Sequence, residues 1–415
     1  MSARDPVLLA FDGIARPVAL VGCGHLLPIL RAALPSWPFA QVAEAGTEPV
    51  ITLVRRGGRH VIRNPWMDEA ILETSDVAAV CSLIVDLVKA FVEDNRDLMC
   101  LHGGAALIGD KLLVLPSTYR AGKSTLLAQL AADGVPVFAD DVLPIGGPSD
   151  HGRALGIAPR LRLPLPGGAG PRLRAFVDRH AGPGDGYYLY LDPPADLLPA
   201  YGATAPIGAV VMLDREDDAP AELFAAPRAA ALRALIGRNF GIGPGAGDIL
   251  DRLAAVTDGV PCLTLRYGDL ADASQLLRET FGGGATAVGG AAARVPHELA
   301  AATGPSAAAP AVDPSRQFRR VDGMALREVD GELFVADAAG DAIHHLNSLG
   351  AGIWNLLAEP VSAAEAAGIV AGAFPDADPV AVAADVARLF AELAGSGLID
   401  IAGPDAGAEA AADAP

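Results

Sequence analysis

The stretch that most constrains this chain runs from residue 101 to residue 145. It reads His102-Gly-Gly-Ala-Ala-Leu-Ile, Gly109-Asp110, Lys111-Leu-Leu-Val-Leu-Pro, then Ser117-Thr-Tyr-Arg120-Ala121-Gly122-Lys123-Ser124-Thr125, a leucine-rich segment, and Val-Phe-Ala-Asp140-Asp141. A Gly-Asp pair between two apolar runs predicts a two-residue hairpin. Its second strand, residues 111–115, leads into Gly-Lys-Ser-Thr, and Leu126, Leu127, Leu130 and Ala131 follow at helical spacing with Gly134 as the stop. Strand, glycine loop and helix start form the context in which Gly-Lys-Ser reads as a phosphate-binding loop. Backbone N–H groups and the dipole at a helix N-terminus attract an anion. Lys123 would reach the β- and γ-phosphates of ATP, and the Ser124 hydroxyl would ligate Mg²⁺. Ser117 stands where the usual pattern has its first glycine.

If Ile108 faces Lys111 across the turn, counting back predicts His102 opposite Ser117, beside the mouth of the loop. Asp140 and Asp141 end the strand after the helix, at the carboxyl edge where α/β sheets bind ligands. Two adjacent acids there allow one metal ligand and one general base; an Asp pair by itself also reads as a solvated turn.

His-Gly, Gly-Lys-Ser-Thr and Ala-Asp-Asp in this order resemble the HPr kinase/phosphorylase family, over roughly residues 76–280. The resemblance implies an α/β P-loop kinase of HPr kinase type that uses ATP and Mg²⁺ to phosphorylate a serine hydroxyl of a protein substrate. Under it, Asp140 is the base, His102 is the histidine at the site, and Ser124 and Asp141 hold the metal. Ser117, Arg120, Ala121, Gly122, Lys123, Ser124 and Thr125 form the nucleotide loop, with Arg153 a further nucleotide contact. The family signature Glu-x-Arg-Gly-x-Gly falls on His151-Gly152-Arg153-Ala154-Leu155-Gly156, so its magnesium-binding glutamate is absent.

The rest of the chain is less specific. Residues 1–75 carry short apolar runs broken by Pro and Gly, predicting a small α/β region with a hairpin at Gly57-Gly58. Gly22-Cys23-Gly24-His25 reads as a buried turn cysteine rather than an active thiol. Residues 75–92 predict an amphipathic helix with Val77, Val80, Ile84, Val88 and Phe91 on one face, opening a kinase-like domain over 76–281. Between 151 and 180, Arg153, Arg160, Arg162, Arg172, Arg174 and Arg179 face the single acid Asp178, which reads as phosphate contacts or as a solvated basic loop. Residues 241–247 read as a plain glycine loop. Residues 282–315 turn to Gly, Ala, Pro and Thr and read as a flexible linker with a root-mean-square span on the order of 30 Å. Residues 403–415 read as a disordered acidic tail.

A second module occupies residues 316–402. Asp330-Gly331 predicts a tight hairpin, residues 342–346 a third strand, Asn347 a helix cap, and Ser362-Ala-Ala-Glu365 a capping box before a second helix. Pro379 opens a third helix, and the whole reads as a winged-helix-like α+β module. Gly331-Glu-Leu-Phe-Val, Leu346-Asn347-x-x-Gly350-x-x-Ile353-Trp354 and Leu393-x-x-x-Gly397-Leu398-Ile399 resemble the PqqD-like family of peptide-recognition elements. That resemblance implies that the leader of a precursor peptide adds as a strand at Ala342, Ile343, His344 and His345 and lies against Val386 and Phe390 of the third helix.

The combination points to phosphorylation of a Ser or Thr on a ribosomally made precursor peptide. Two other readings stand beside it: a non-catalytic peptide-delivery chaperone, and phosphate activation of a carboxylate or amide for cyclisation by a partner modifying enzyme. With 50 acidic and 31 basic residues the net charge is −19, which argues against nucleic acid as a partner. No apolar run of 18 residues predicts a membrane span, and four scattered cysteines without metal or disulfide spacing suit a reducing cytoplasm. A homo-oligomer is compatible with the chain.

Overall fold

The hairpin forms on the residues that mark it. Ile108 pairs with Lys111 across the turn, and the ladder continues to Gly104 opposite Leu115. The structure, a computed structural model, describes residues 6–43, 46–116, 122–147, 150–241, 245–283, 293–296 and 312–402. The chain divides into two compact units, residues 1–244 with 255–300 and residues 245–254 with 301–415.

The first unit is organised by a six-stranded sheet in the order Val137–Ala139, Gly104–Ile108, Lys111–Leu115, Ile207–Arg215, Cys262–Tyr267, Glu222–Ala225. Its three middle strands from Lys111–Leu115 to Cys262–Tyr267 are parallel. Leu112 to Leu115 are all buried, as are Ala209 to Leu213, because the sheet is covered on both faces. Helices Lys123–Ala132, Pro171–Arg179 and Leu270–Gly282 share one buried cluster with it, through Leu126, Leu130, Leu173 and Leu277. A smaller antiparallel sheet orders Thr204–Ala205, His151–Arg153, Val142–Gly146 and Met99–His102.

At the N-terminus a second six-stranded sheet runs Phe39–Val42, Pro6–Phe11, Val18–Val21, Ile51–Arg56, Arg59–Arg63, Ile71–Glu73. The helix Asp76–Asp94 follows, with the Ser75 hydroxyl accepting from the Ala78 N–H at 2.9 Å. Its predicted apolar face is buried, but so are Ala79, Leu83, Asp86, Leu87 and Val92. The helix shares one cluster with the N-terminal sheet and with Leu155, Ala158 and Tyr190, so it is wrapped on more than one side. The boundary drawn at residue 75 therefore cuts through a shared core.

Helix Ala246–Gly259 has no counterpart in the sequence reading. The linker expectation for 282–315 falls mostly outside the described residues, but 293–296 are held in place. Arg294 donates to Asp214 Oδ2 at 2.6 Å and Glu216 Oε2 at 3.2 Å, and its N–H to Ala225 O at 2.9 Å. Residues 403–415 lie outside the described residues. Among the described residues no helix is long and apolar enough to cross a membrane.

The second unit contains the predicted hairpin and third strand as one sheet, Ala325–Val329, Glu332–Ala336, Ile343–Leu346. Asp330 and Gly331 both take positive φ (52° and 79°), the type I′ geometry that matches strand twist. A second three-stranded sheet, Val361–Ser362, Gln317–Arg320, Ile399–Ile401, was not foreseen. Helices Ser348–Leu356, Ala363–Ala373 and Pro379–Gly395 complete the unit; Asn347 Oδ1 accepts from Gly350 N–H at 2.9 Å, and the Ser362/Glu365 capping box forms in full. Trp354, Phe334, Phe390 and Leu357 are buried at its centre.

Candidate functional site

In the first unit the strand Lys111–Leu115 leads to the helix Lys123–Ala132, whose N-cap is Gly122 at φ +84°. A Cβ there would meet the Tyr267 hydroxyl oxygen at 2.9 Å, so both conformation and space require glycine. The Tyr267 hydroxyl is pushed up to about 12 by burial. Ser117, Arg120 and Ala121 lie outside the described residues. Lys123 is buried, its aliphatic stem packed near Gly104, and Ser124 and Thr125 follow in the first helical turn, half-buried.

Asp140 and Asp141 follow the strand Val137–Ala139 and differ in every respect that matters chemically. Asp140 is buried; its Oδ2 accepts the Arg160 N–H at 3.0 Å, and among the described residues its Oδ1 meets no donor at hydrogen-bonding geometry. Burial, and then the charge of Asp141, pushes the Asp140 carboxyl above the usual carboxylate range, while Lys123, the Arg160 N–H and Ser124 pull it back. Asp141 is half-exposed and gathers three basic side chains. His102 Nε2 lies 3.3 Å from Oδ1, Lys123 Nζ 3.7 Å from Oδ1, and Arg160 Nη2 3.7 Å from Oδ2.

The route that brings His102 here is not the predicted one. The hairpin ends at Gly104, and His102 belongs to the strand Met99–His102, paired with Val142 in the smaller sheet. The Gly103 N–H donates to Asp141 O at 3.1 Å, so the strand crossing itself sets histidine beside aspartate. Burial, with Lys123 and Arg238 adding to it, holds His102 below the ordinary histidine range against the pull of Asp141. The imidazole is therefore neutral near pH 7.

Arg153 does not join the cluster: its guanidinium carbon sits 5.7 Å from the Tyr201 ring centre, with Nε buried and without a partner among the described residues. Of the six arginines of 151–180, Arg160 does join, stacked 4.6 Å over Tyr188. Arg172 has a carboxylate after all, buried Asp133 at 2.7 Å, while Arg174 donates to Ala169 O at 2.9 Å. Missed from sequence were Arg160 as an individual, Tyr190 and Cys81. Together with Ile84, Phe138 and Leu155 they line a cavity of about 50 Å³ that opens onto Asp140 and Asp141. The Tyr190 hydroxyl donates to Cys81 Sγ at 3.2 Å.

The second unit offers a different surface. The strand Ile343–Leu346 lies at a sheet edge, and among the described residues nothing pairs with its outer side. Asp337 N–H donates to Ala342 O at 3.0 Å, which fixes the alternation of the ladder. His344 and Leu346, opposite Val335 and Leu333, direct their backbone groups inward. Ile343 and His345 direct theirs outward. Ala342 is excluded from that open edge, since its N–H is also taken by Asp337 Oδ2 at 3.1 Å.

Beside the edge is a groove of about 360 Å³ lined by Leu346, Ile353, Val370, Val382, Val386 and Leu389, with Asp385, Arg388 and Glu392 among its polar residues. Phe390, predicted to line it, is fully buried and packs edge-on to Phe318 at 5.8 Å in the core. Among the described residues His344 Nε2 is buried without a partner, whereas His345 Nε2 is 2.6 Å from Glu332 Oε2.

No curated protein matches the chain. The family described as Coenzyme PQQ synthesis protein D (PqqD) matches residues 332–399, which include the open strand, the groove and the third helix. Residues 332–399 therefore form a PqqD-like domain, of the kind that binds precursor peptides.

Proposed function

We propose that the chain is an ATP- and Mg²⁺-dependent kinase that phosphorylates a Ser or Thr of a ribosomally made precursor peptide whose leader is held by residues 316–402. The observation that carries this reading is Asp140, a buried carboxylate whose Oδ1 has no hydrogen-bond partner among the described residues, beside Lys123 and Ser124 at a helix start. An orphaned buried acceptor is costly, and a substrate hydroxyl would complete it.

The residues present fit a nucleotide and its metal. Gly122 leaves a cradle that a Cβ would fill, and Lys123 is held buried at the same helix N-terminus. Ser124 and Asp141 would hold Mg²⁺. Bound Mg²⁺-ATP supplies the phosphoryl group to be transferred. Asp140 takes the hydroxyl proton at Oδ1. Lys123 and Arg160 supply positive charge toward the transferred group, and neutral His102, its Nε2 3.3 Å from Asp141 Oδ1, stands where it would orient that carboxylate. The PqqD-like domain contributes by holding the leader, which raises the effective concentration of the segment to be modified.

A second reading, peptide delivery without turnover, is favoured by His151 standing where the HPr kinase signature has its glutamate. Co-expression with the precursor separates the two. The kinase reading expects the peptide to gain the mass of one phosphoryl group with the parent chain and none with Lys123→Ala. An unmodified peptide with both would leave the delivery reading.

A further inference from the structure

The Gly22-Cys23-Gly24-His25 stretch plays no part in the chemistry above, yet it places a histidine in a second cluster. His25 comes from the short helix Gly24–Leu26, His60 from the strand Arg59–Arg63, and Asp76 from the first turn of the helix Asp76–Asp94. Three elements distant in sequence thus present three donor atoms within 4.8 Å of one another. His25 Nε2 lies 3.4 Å from Asp76 Oδ1, and His60 Nε2 lies 2.7 Å from the same oxygen.

We propose that His25, His60 and Asp76 form a binding site for a divalent transition metal, Zn²⁺ by donor type, with water in the fourth position. Two imidazoles and one carboxylate suit a borderline-soft ion rather than Mg²⁺ or Ca²⁺. Donors about 2.0 Å from a tetrahedral ion stand about 3.3 Å apart, so the His25–Asp76 spacing already fits. The His60–Asp76 spacing is that of a hydrogen bond and opens by about 0.6 Å on binding. His60 is 2% exposed and cannot turn away; with Nε2 on the metal its proton moves to Nδ1, which faces Cys23 Sγ at 3.9 Å. Cys23 is thereby an outer partner that orients His60, which accounts for a buried cysteine two residues before a ligand. The His25 and Asp76 side chains are 36% and 45% exposed, leaving a path for the ion and room for water. Arg55 Nη1 lies 3.5 Å from His25 Nε2 and is the contact a bound cation displaces.

The test uses the full chain, stripped with chelator and without nucleotide, titrated separately with Zn²⁺ and with Co²⁺ as a spectroscopic probe. The parent should bind one equivalent of Co²⁺ with the visible absorption of a tetrahedral site, and Zn²⁺ should raise its Tm. His25→Ala, a surface change, should keep the parent's circular dichroism and metal-free Tm but weaken Co²⁺ binding at least about tenfold, and Asp76→Asn should do likewise. Arg55→Gln should tighten binding about threefold by removing a competing charge. No Co²⁺ binding by the parent, or binding undiminished in a folded His25→Ala, would overturn the site.

Discussion

The two regions that carry function solve recognition in opposite ways. The cluster at Asp140 and Asp141 depends on individual side-chain atoms: one buried oxygen with no hydrogen-bond partner among the described residues, and a buried lysine, an arginine and a neutral histidine about one carboxylate. The edge at Ile343–Leu346 depends on main-chain groups that any peptide can meet, with an apolar groove beside it to select side chains. The first should fail with a single atom changed. The second should tolerate most side-chain changes and fail when a backbone N–H is lost.

Asp140→Asn presses this contrast hardest. It keeps shape and burial but cannot take a proton, so phosphoryl transfer should fall by about 10²–10⁴ while leader affinity stays unchanged. Steady-state transfer assays beside calorimetric titration of the leader check both halves. Transfer surviving in this variant would move the base elsewhere.

Ile343→Pro is the matching experiment on the other region. It removes an outward N–H and fixes φ, so leader affinity should drop at least about tenfold, roughly 1.4 kcal/mol. Turnover of a peptide lacking its leader should be unaffected. His344→Pro is the control: its N–H faces Val335, so it should disrupt the sheet and show in circular dichroism. Equal effects of the two prolines on folding would contradict the assigned ladder.

Gly122→Ala sharpens the first region. A left-handed φ and a contact at 2.9 Å to Tyr267 should cost about 1–2 kcal/mol in stability, read by denaturant melts, and weaken nucleotide binding with it.

The smallest effect concerns Asp86, buried inside the helix Asp76–Asp94 with Asn64 Nδ2 donating to Oδ2 at 2.7 Å and Oδ1 without a partner among the described residues. Burial raises its carboxyl above the ordinary value, against Asn64 and Lys89. A raised acid favours the fold below its unfolded pKa, and that contribution is lost as pH rises through the folded value. Asp86→Asn should therefore raise Tm by on the order of a degree or two at about pH 8 and leave it unchanged at about pH 4. The reverse order would contradict the sign.

What was legible in the sequence was local. The Gly109–Asp110 and Asp330–Gly331 turns, the Asn347 cap and the Ser362 capping box each depend on a few neighbouring residues, and each forms as read. What was not legible was long-range. His102 was extrapolated along a hairpin that stops at Gly104, because the switch to a second sheet at Gly103 leaves no mark in spacing. Arg160 was one of six equivalent arginines until the fold turned its guanidinium to Asp141. The helix Ala246–Gly259 was missed beside a glycine-rich run, although Ile249, Leu250, Leu253 and Ala254 carry helical spacing. Phe390 was assigned to the groove because helical periodicity locates an apolar stripe without saying which part of it meets the core.

The central claim is that both regions act on one peptide, and leader dependence tests it most directly. With the full chain, ATP and Mg²⁺, initial rates of phosphorylation are compared for the intact precursor and the same peptide without its leader. The account predicts a kcat/KM at least about tenfold higher for the intact precursor, with the advantage abolished by Ile343→Pro. Equal kcat/KM for the two peptides would contradict it.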